Sequence, residues 1–102
     1  MISDTFTHII VGAGSAGCLL ANRLSSDKGN RVLLLESGSW DTGIWTKIPV
    51  GYFRTINNFK VTKHTLTEPS DSIAGRSIDW PRGHVVGGSS SVNGLAFIRG
   101  QK

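Results

Sequence analysis

His8-Ile9-Ile10-Val11-Gly12-Ala13-Gly14-Ser15-Ala16-Gly17 is a short apolar, β-branched run that passes directly into three glycines spaced G-x-G-x-x-G. The run predicts a strand, and the helix that follows is predicted to start near Ser15 and end about Ser26. Asp27-Lys28-Gly29-Asn30 is a turn cluster, and Arg31-Val32-Leu33-Leu34-Leu35 reads as a second, buried strand with Glu36 at its C-terminal end. Strand, glycine turn, helix, strand and acid form the order that holds the diphosphate and ribose of a dinucleotide. In that arrangement Gly12 permits the tight turn, Gly14 lets the backbone approach the pyrophosphate, and Gly17 lets the helix pack on the strand. Free N–H groups from Ser15 and Ala16 onward, at the positive end of the helix dipole, face the phosphates. Glu36 stands where a carboxylate accepts ribose hydroxyls, and its charge disfavours a 2′-phosphate. FAD and NAD remain open on these residues. The fold class is therefore α/β, a Rossmann-like βαβ unit over residues 7–36. The alternative, a plain βαβ unit whose glycines only relieve crowding, needs fewer glycines than are present.

Composition bounds the rest. A chain of 102 residues, 38% hydrophobic and 18% charged, is globular rather than disordered. Thirteen glycines are nearly double the ordinary share of about 7%, which implies many loops and close backbone approaches. The net charge of +4 is modest and scattered, without a basic stripe interleaved with aromatics, so no nucleic-acid partner is expected. The single cysteine, Cys18, allows no internal disulfide and reads as a small hydrophobe packed on the sheet. No leader is read in Met1-Ile2-Ser3-Asp4, and no run reaches the ~18 apolar residues of a membrane helix. A cytoplasmic location is the default expectation.

On the helix, Ala16, Leu19, Leu20 and Leu24 are expected to face the sheet, with Asn22, Arg23 and Ser26 toward water. Residues 37–80 read as an irregular excursion. Its Trp40, Trp45, Tyr52 and Phe53 either line a cofactor or an interface or fill a core, and core packing is the commoner use of aromatics. A short strand is expected through Ser77–Trp80. A second glycine-rich block covers residues 81–100 and includes Pro81-Arg82-Gly83-His84-Val85-Val86-Gly87-Gly88-Ser89-Ser90-Ser91-Val92-Asn93-Gly94. Paired glycines followed by three serines suit a loop that lays N–H and hydroxyl groups on an anion or a flat ring.

These blocks together carry a resemblance. Val11 to Cys18, Leu34-Leu35-Glu36 and Pro81 through Gly100 resemble the glucose-methanol-choline (GMC) oxidoreductases. Ile48 to Phe53, Thr67-Glu68-Pro69 and Gly75-Arg76 are similar to the choline-dehydrogenase-like branch. The resemblance implies FAD as cofactor and a flavin-dependent alcohol oxidoreductase as the parent enzyme, with a small alcohol as substrate. By position it implies that Gly12, Gly14 and Gly17 hold the pyrophosphate and Glu36 the adenosine ribose. Arg82, Val85, Gly88, Ser89, Asn93, Gly94, Leu95 and Ala96 would lie along the pyrophosphate and flavin side. Some members attach FAD through a histidine where this chain has Val92, so non-covalent FAD is expected. Lys63-His64-Thr65 departs from the family's Trp-x-Tyr. The family's catalytic histidine lies in its C-terminal part and matches none of His8, His64 and His84, so no catalytic residue is assigned. The resemblance covers only an N-terminal part: the substrate domain is expected to be absent and the chain inactive alone. A non-catalytic truncated remnant and an NAD-binding Rossmann domain of another enzyme are the alternatives.

Overall fold

The computed structural model describes residues 5–101, so Met1–Asp4, on which the leader reading rests, lie outside the described residues. The β-branched run forms β1, His8–Val11, and the apolar run after the turn forms β2, Val32–Leu35. They pair in parallel, from His8 beside Val32 to Val11 beside Leu35. The Gly12 N–H extends the ladder by donating to the Leu35 carbonyl at 2.7 Å. Between the strands lies α1, Ser15–Ser25, one residue short of the predicted end. It stops in the expected turn, where Asn30 Nδ2 donates to the Leu24 carbonyl at 3.0 Å. The βαβ unit is as the sequence predicts.

The face that α1 turns inward is not. Leu19 and Leu20 are more than half exposed and Ala16 is exposed, whereas Gly17, Cys18, Ala21 and Leu24 are half-buried. The cause lies at Gly17, where a Cβ would overlap the Gly12 carbonyl oxygen. That contact fixes the rotation of the helix, and positions four and seven residues on from Gly17 follow it toward the sheet. Cys18 Sγ donates to the Ala13 carbonyl at 3.2 Å, which ties the helix to the turn a second time.

The 37–80 stretch is more regular than expected. It holds tight helical turns at Ile44–Thr46 and Pro49–Gly51, a single turn of α-helix α2 at Tyr52–Thr55, and a strand β3 at Thr62–Leu66. β3 pairs antiparallel with β4, Asp79–Gly83, with His64 opposite Pro81 and Thr65 opposite Trp80. The strand expected at Ser77–Trp80 thus begins two residues later and runs through Pro81. A two-stranded ribbon tolerates that proline, because no third strand needs its missing N–H. The aromatics do not form a core: Trp40, Trp45 and Phe53 are exposed, and Trp45 lies 4.5 Å beneath the Arg54 guanidinium.

The chain after β4 returns to the βαβ unit. The His84 N–H donates to the Val61 carbonyl at 2.7 Å, the Val86 N–H to Ser39 at 2.9 Å, and the Gly87 N–H to Ala13 at 2.7 Å. The buried apolar residues, Val85, Ala13 and Val92, lie on or beside this seam. No helix among the described residues is long and apolar enough to cross a membrane.

Since the α1 register rests on Gly17, replacing it with alanine forces a methyl against backbone that has no room to yield. Gly17→Ala is expected to destabilise the chain by about 1–3 kcal/mol, read as a lower denaturant midpoint by circular dichroism. An unchanged midpoint would contradict this account of the helix face.

Candidate functional site

The site assembles where α1 begins. Its N-cap, Gly14, is extended and no side chain caps the first turn. The first N–H groups of a helix have no intrahelical partner, and here they carry the positive end of the dipole. Gly14 has an ordinary negative φ, and a Cβ built on it meets nothing within 4 Å. Nothing near a Cβ at this position in the chain's own packing therefore requires glycine there. Across the turn stands Gly88, in a left-handed conformation, where a Cβ would come within 3.0 Å of Gly14 Cα. It opens a tight helical turn, Gly88–Ser91. Two stretches some seventy positions apart, one with Gly12, Gly14, Ser15, Ala16 and Gly17 and the other with Val85 and Gly88, thus meet backbone to backbone. Ser89 lies at the rim, its Oγ accepting the Gly83 N–H at 3.1 Å.

Glu36 completes the cradle from β2. One carboxylate oxygen accepts the Ala13 N–H at 2.7 Å and the other the Gly38 N–H at 2.8 Å. These two backbone donors, Gly38 first, hold its carboxyl below the usual glutamate value against the opposing pull of burial. The His84 ring, which shares a 2.9 Å hydrogen bond with Ser37 Oγ, acts in the same direction. Glu36 is thus an anion beside the glycine turn. A carboxylate has about four lone-pair sites, and two remain for hydroxyl donors. Next to it, Ala13, Leu34, Glu36, Gly38, Trp40 and Val86 line a largely apolar cleft of about 300 Å³. A diphosphate at the helix end and a ribose at Glu36 fit this arrangement.

The remaining residues read from sequence lie apart from it. The Arg82 guanidinium sits on the hairpin, 4.7 Å over the Trp80 ring, rather than at the turn. Asn93 and Leu95 line a second, smaller pocket with Trp45, Ile48, Pro49, Tyr52, Ser90 and Ser91. Asn93 Oδ1 accepts the Leu95 N–H at 2.9 Å, and Gly94 lies against the Tyr52 ring. Ala96 is exposed. Sequence reasoning missed Ser39, whose carbonyl accepts Val86, and Asp41, which pairs with Lys47 at 2.9 Å. Ser91 Oγ approaches the same Asp41 oxygen at 3.5 Å. Neither residue carries a motif; their roles come from chain path alone.

The GMC oxidoreductase family model matches residues 6–102. An alcohol dehydrogenase [acceptor] of Pseudomonas putida is 47% identical over 95% of this chain, which spans 18% of that protein. An oxygen-dependent choline dehydrogenase of Photobacterium profundum is 43% identical over 97% of the chain and 17% of its own length. The crystal structure of pyridoxine 4-oxidase from Mesorbium loti superposes with a TM-score of 0.88 at 38% identity, covering 94% of this chain and 19% of that one. The chain belongs to the GMC oxidoreductase family and spans about a fifth of the length of these relatives.

Because Glu36 gains two backbone donors on folding, its carboxyl is stabilised as the anion. Its contribution to stability is present above the unfolded glutamate value and is lost as the pH falls through the lower, folded one. A carboxyl-carbon NMR titration is expected to place Glu36 below the ordinary value. The acid limb of the stability curve should flatten in Glu36→Gln; an unaltered limb would contradict the assignment.

Proposed function

We propose that this chain is the FAD-binding part of a flavin-dependent oxidoreductase acting on the CH–OH group of an alcohol, choline-dehydrogenase-like in its relatives. The observation that carries the reading is the open, uncapped start of α1, faced by Gly88 and flanked by ionised Glu36. Gly14 leaves room there that the chain itself does not use. In this reading the backbone of Gly12, Gly14, Ser15, Ala16 and Gly17 holds the pyrophosphate, with the helix dipole offsetting its charge. Glu36 accepts the ribose hydroxyls, which fixes the adenosine half and turns away a 2′-phosphate. Val85 supports Gly88 and Ser89 from below, and Asn93, Gly94, Leu95 and Ala96 lie along the flavin side. Arg82 joins the phosphate set only by leaving the Trp80 ring. Bound there, FAD supplies the hydride acceptor for oxidation of the alcohol carbon.

The attachment is non-covalent in this reading. Val92 occupies the position of the linking histidine and is 5% exposed, a buried alkyl group with no nucleophile. None of the three histidines is assigned a proton-transfer role. His8 shares a 3.0 Å hydrogen bond with Thr7, His64 is engaged by Asp79, and His84 by Ser37. The alcohol's proton acceptor is therefore placed outside residues 5–101, and no turnover is expected from this chain alone. A lone cysteine fits a reducing compartment, and the cytoplasm remains the proposed location.

FAD added to the folded protein is expected to co-purify through gel filtration with a flavin absorbance band and to be released by denaturation. Gly14→Ala should leave the fold intact and cost at least about 1.4 kcal/mol of FAD binding, or tenfold in affinity. Binding of a nicotinamide nucleotide in preference to FAD would refute the flavin reading. Flavin that stays on the denatured polypeptide would refute the non-covalent one.

A further inference from the structure

His64 lies in the segment that departs from the family pattern, between Lys63 and Thr65, and its surroundings are unusually demanding. Its Nδ1 stands 2.6 Å from Asp79 Oδ2, across the hairpin on β4. Its Nε2 stands 3.0 Å from the Ile56 carbonyl oxygen and 3.3 Å from Thr62 Oγ. The Thr62 hydroxyl donates elsewhere, at 2.9 Å to the Asn58 carbonyl, and so offers Nε2 a lone pair. Each ring nitrogen therefore faces acceptors only. A neutral imidazole has one N–H and one lone pair, and in either tautomer one nitrogen would meet an acceptor lone pair to lone pair. Both contacts are satisfied only when both nitrogens carry protons. The Phe59 ring lies 4.8 Å from the imidazole, a further favourable neighbour for a cation.

These contacts join three segments. His64 belongs to β3, Asp79 to β4, and Ile56 and Asn58 to the turn after α2. Thr62, nearly fully buried, secures the same turn through both its N–H and its hydroxyl on Asn58. The hairpin then leads straight into the cradle. One residue before β3, the Val61 carbonyl accepts His84; two residues further Val86 bonds Ser39, and Gly87 bonds Ala13.

We propose that His64 is held as an imidazolium and acts as a positioning residue, clamping the 56–58 turn to the β3–β4 hairpin and through it fixing residues 84–88 against the glycine turn. The clamp holds at neutral pH and loosens when the proton leaves. The Asp79 hydrogen bond raises the His64 value first; burial opposes it, and the Ile56 carbonyl and the Asp79 charge add to it. Among the charged neighbours, Asp79 is the one that acts on the ring, while Lys60 and Lys63 flank it along the chain. With the folded value raised, the stabilisation is complete below the unfolded value of about 6.5 and is lost as the pH rises through the folded one. That this also tunes cofactor affinity rests on the flavin reading of the cradle.

The test begins with an imidazole-nitrogen NMR titration of the full chain without cofactor, from about pH 6 to about pH 9. His64 is expected to carry protons on both nitrogens at neutral pH and to titrate above the ordinary histidine value. A singly protonated His64 at neutral pH overturns the proposal. Amide protection at Val86 and Gly87, corrected for intrinsic exchange, should fall roughly two- to five-fold across that titration, the range of a partly exposed ion pair. In His64→Gln the protection should be reduced at the lower pH and flat across the range. Equal profiles in the two proteins overturn the positioning role. FAD affinity measured over the same range separates the two readings: coupled protection without FAD binding at any pH sustains the clamp and refutes the flavin assignment.

Discussion

The structure depends on one seam of backbone hydrogen bonds, in which residues 84–87 lie down along Val61, Ser39 and Ala13. Among the described residues, the apolar side chains that reach full burial, Ala13, Val85 and Val92, sit on this seam or next to it. Buried N–H and C=O groups must be paired, and here the pairing partners come from four separate stretches of chain. The seam sets the distance between Gly14 and Gly88, brings the His84 ring over Ser37, and so places Glu36 and the start of α1 on a common rim. A cradle of this kind cannot be made by the βαβ unit alone, which supplies only the turn and the acid.

The βαβ unit was legible in the sequence because each of its signals is local. A β-branched run, a spaced glycine turn and a second apolar run lie within thirty positions, and each element carries its own punctuation. Glu36 was legible for the same reason, by its place at the end of β2. The hairpin was not. Thr62–Leu66 has little apolar alternation, its partner contains Pro81, and the two are joined by a connection with a tight turn of its own. Pairing across such a span is decided by register and by the His64–Asp79 contact, neither of which leaves a periodic trace. The helix face failed in an instructive way. Counting leucines pointed to Leu19 and Leu20, but a single steric contact at Gly17 outranked the apolar pattern. The place of the Arg82 guanidinium over the Trp80 ring likewise follows from cross-hairpin geometry rather than from any local pattern.

Few apolar side chains among the described residues are fully buried, and this bears on how these contacts are maintained. Its radius of gyration is 17.3 Å, against about 13 Å for a compact domain of this length. Ile9, Val11 and Leu35 on the strands and Leu19 and Leu20 on α1 remain largely open to solvent. The hydrogen-bonded seam and the His64 cluster must then carry an unusual share of the specificity for one conformation. A ligand lodged at the meeting of Gly14, Glu36 and Gly88 would touch three of the four stretches the seam joins, and would bind only when they are joined. At a hundredfold excess over its dissociation constant it would add about 2.7 kcal/mol to folding, a large fraction of what so thin a core can supply. A geometry that recognised such a ligand and the geometry that closes the fold would therefore be the same set of backbone contacts, and a change that loosened either one would weaken both.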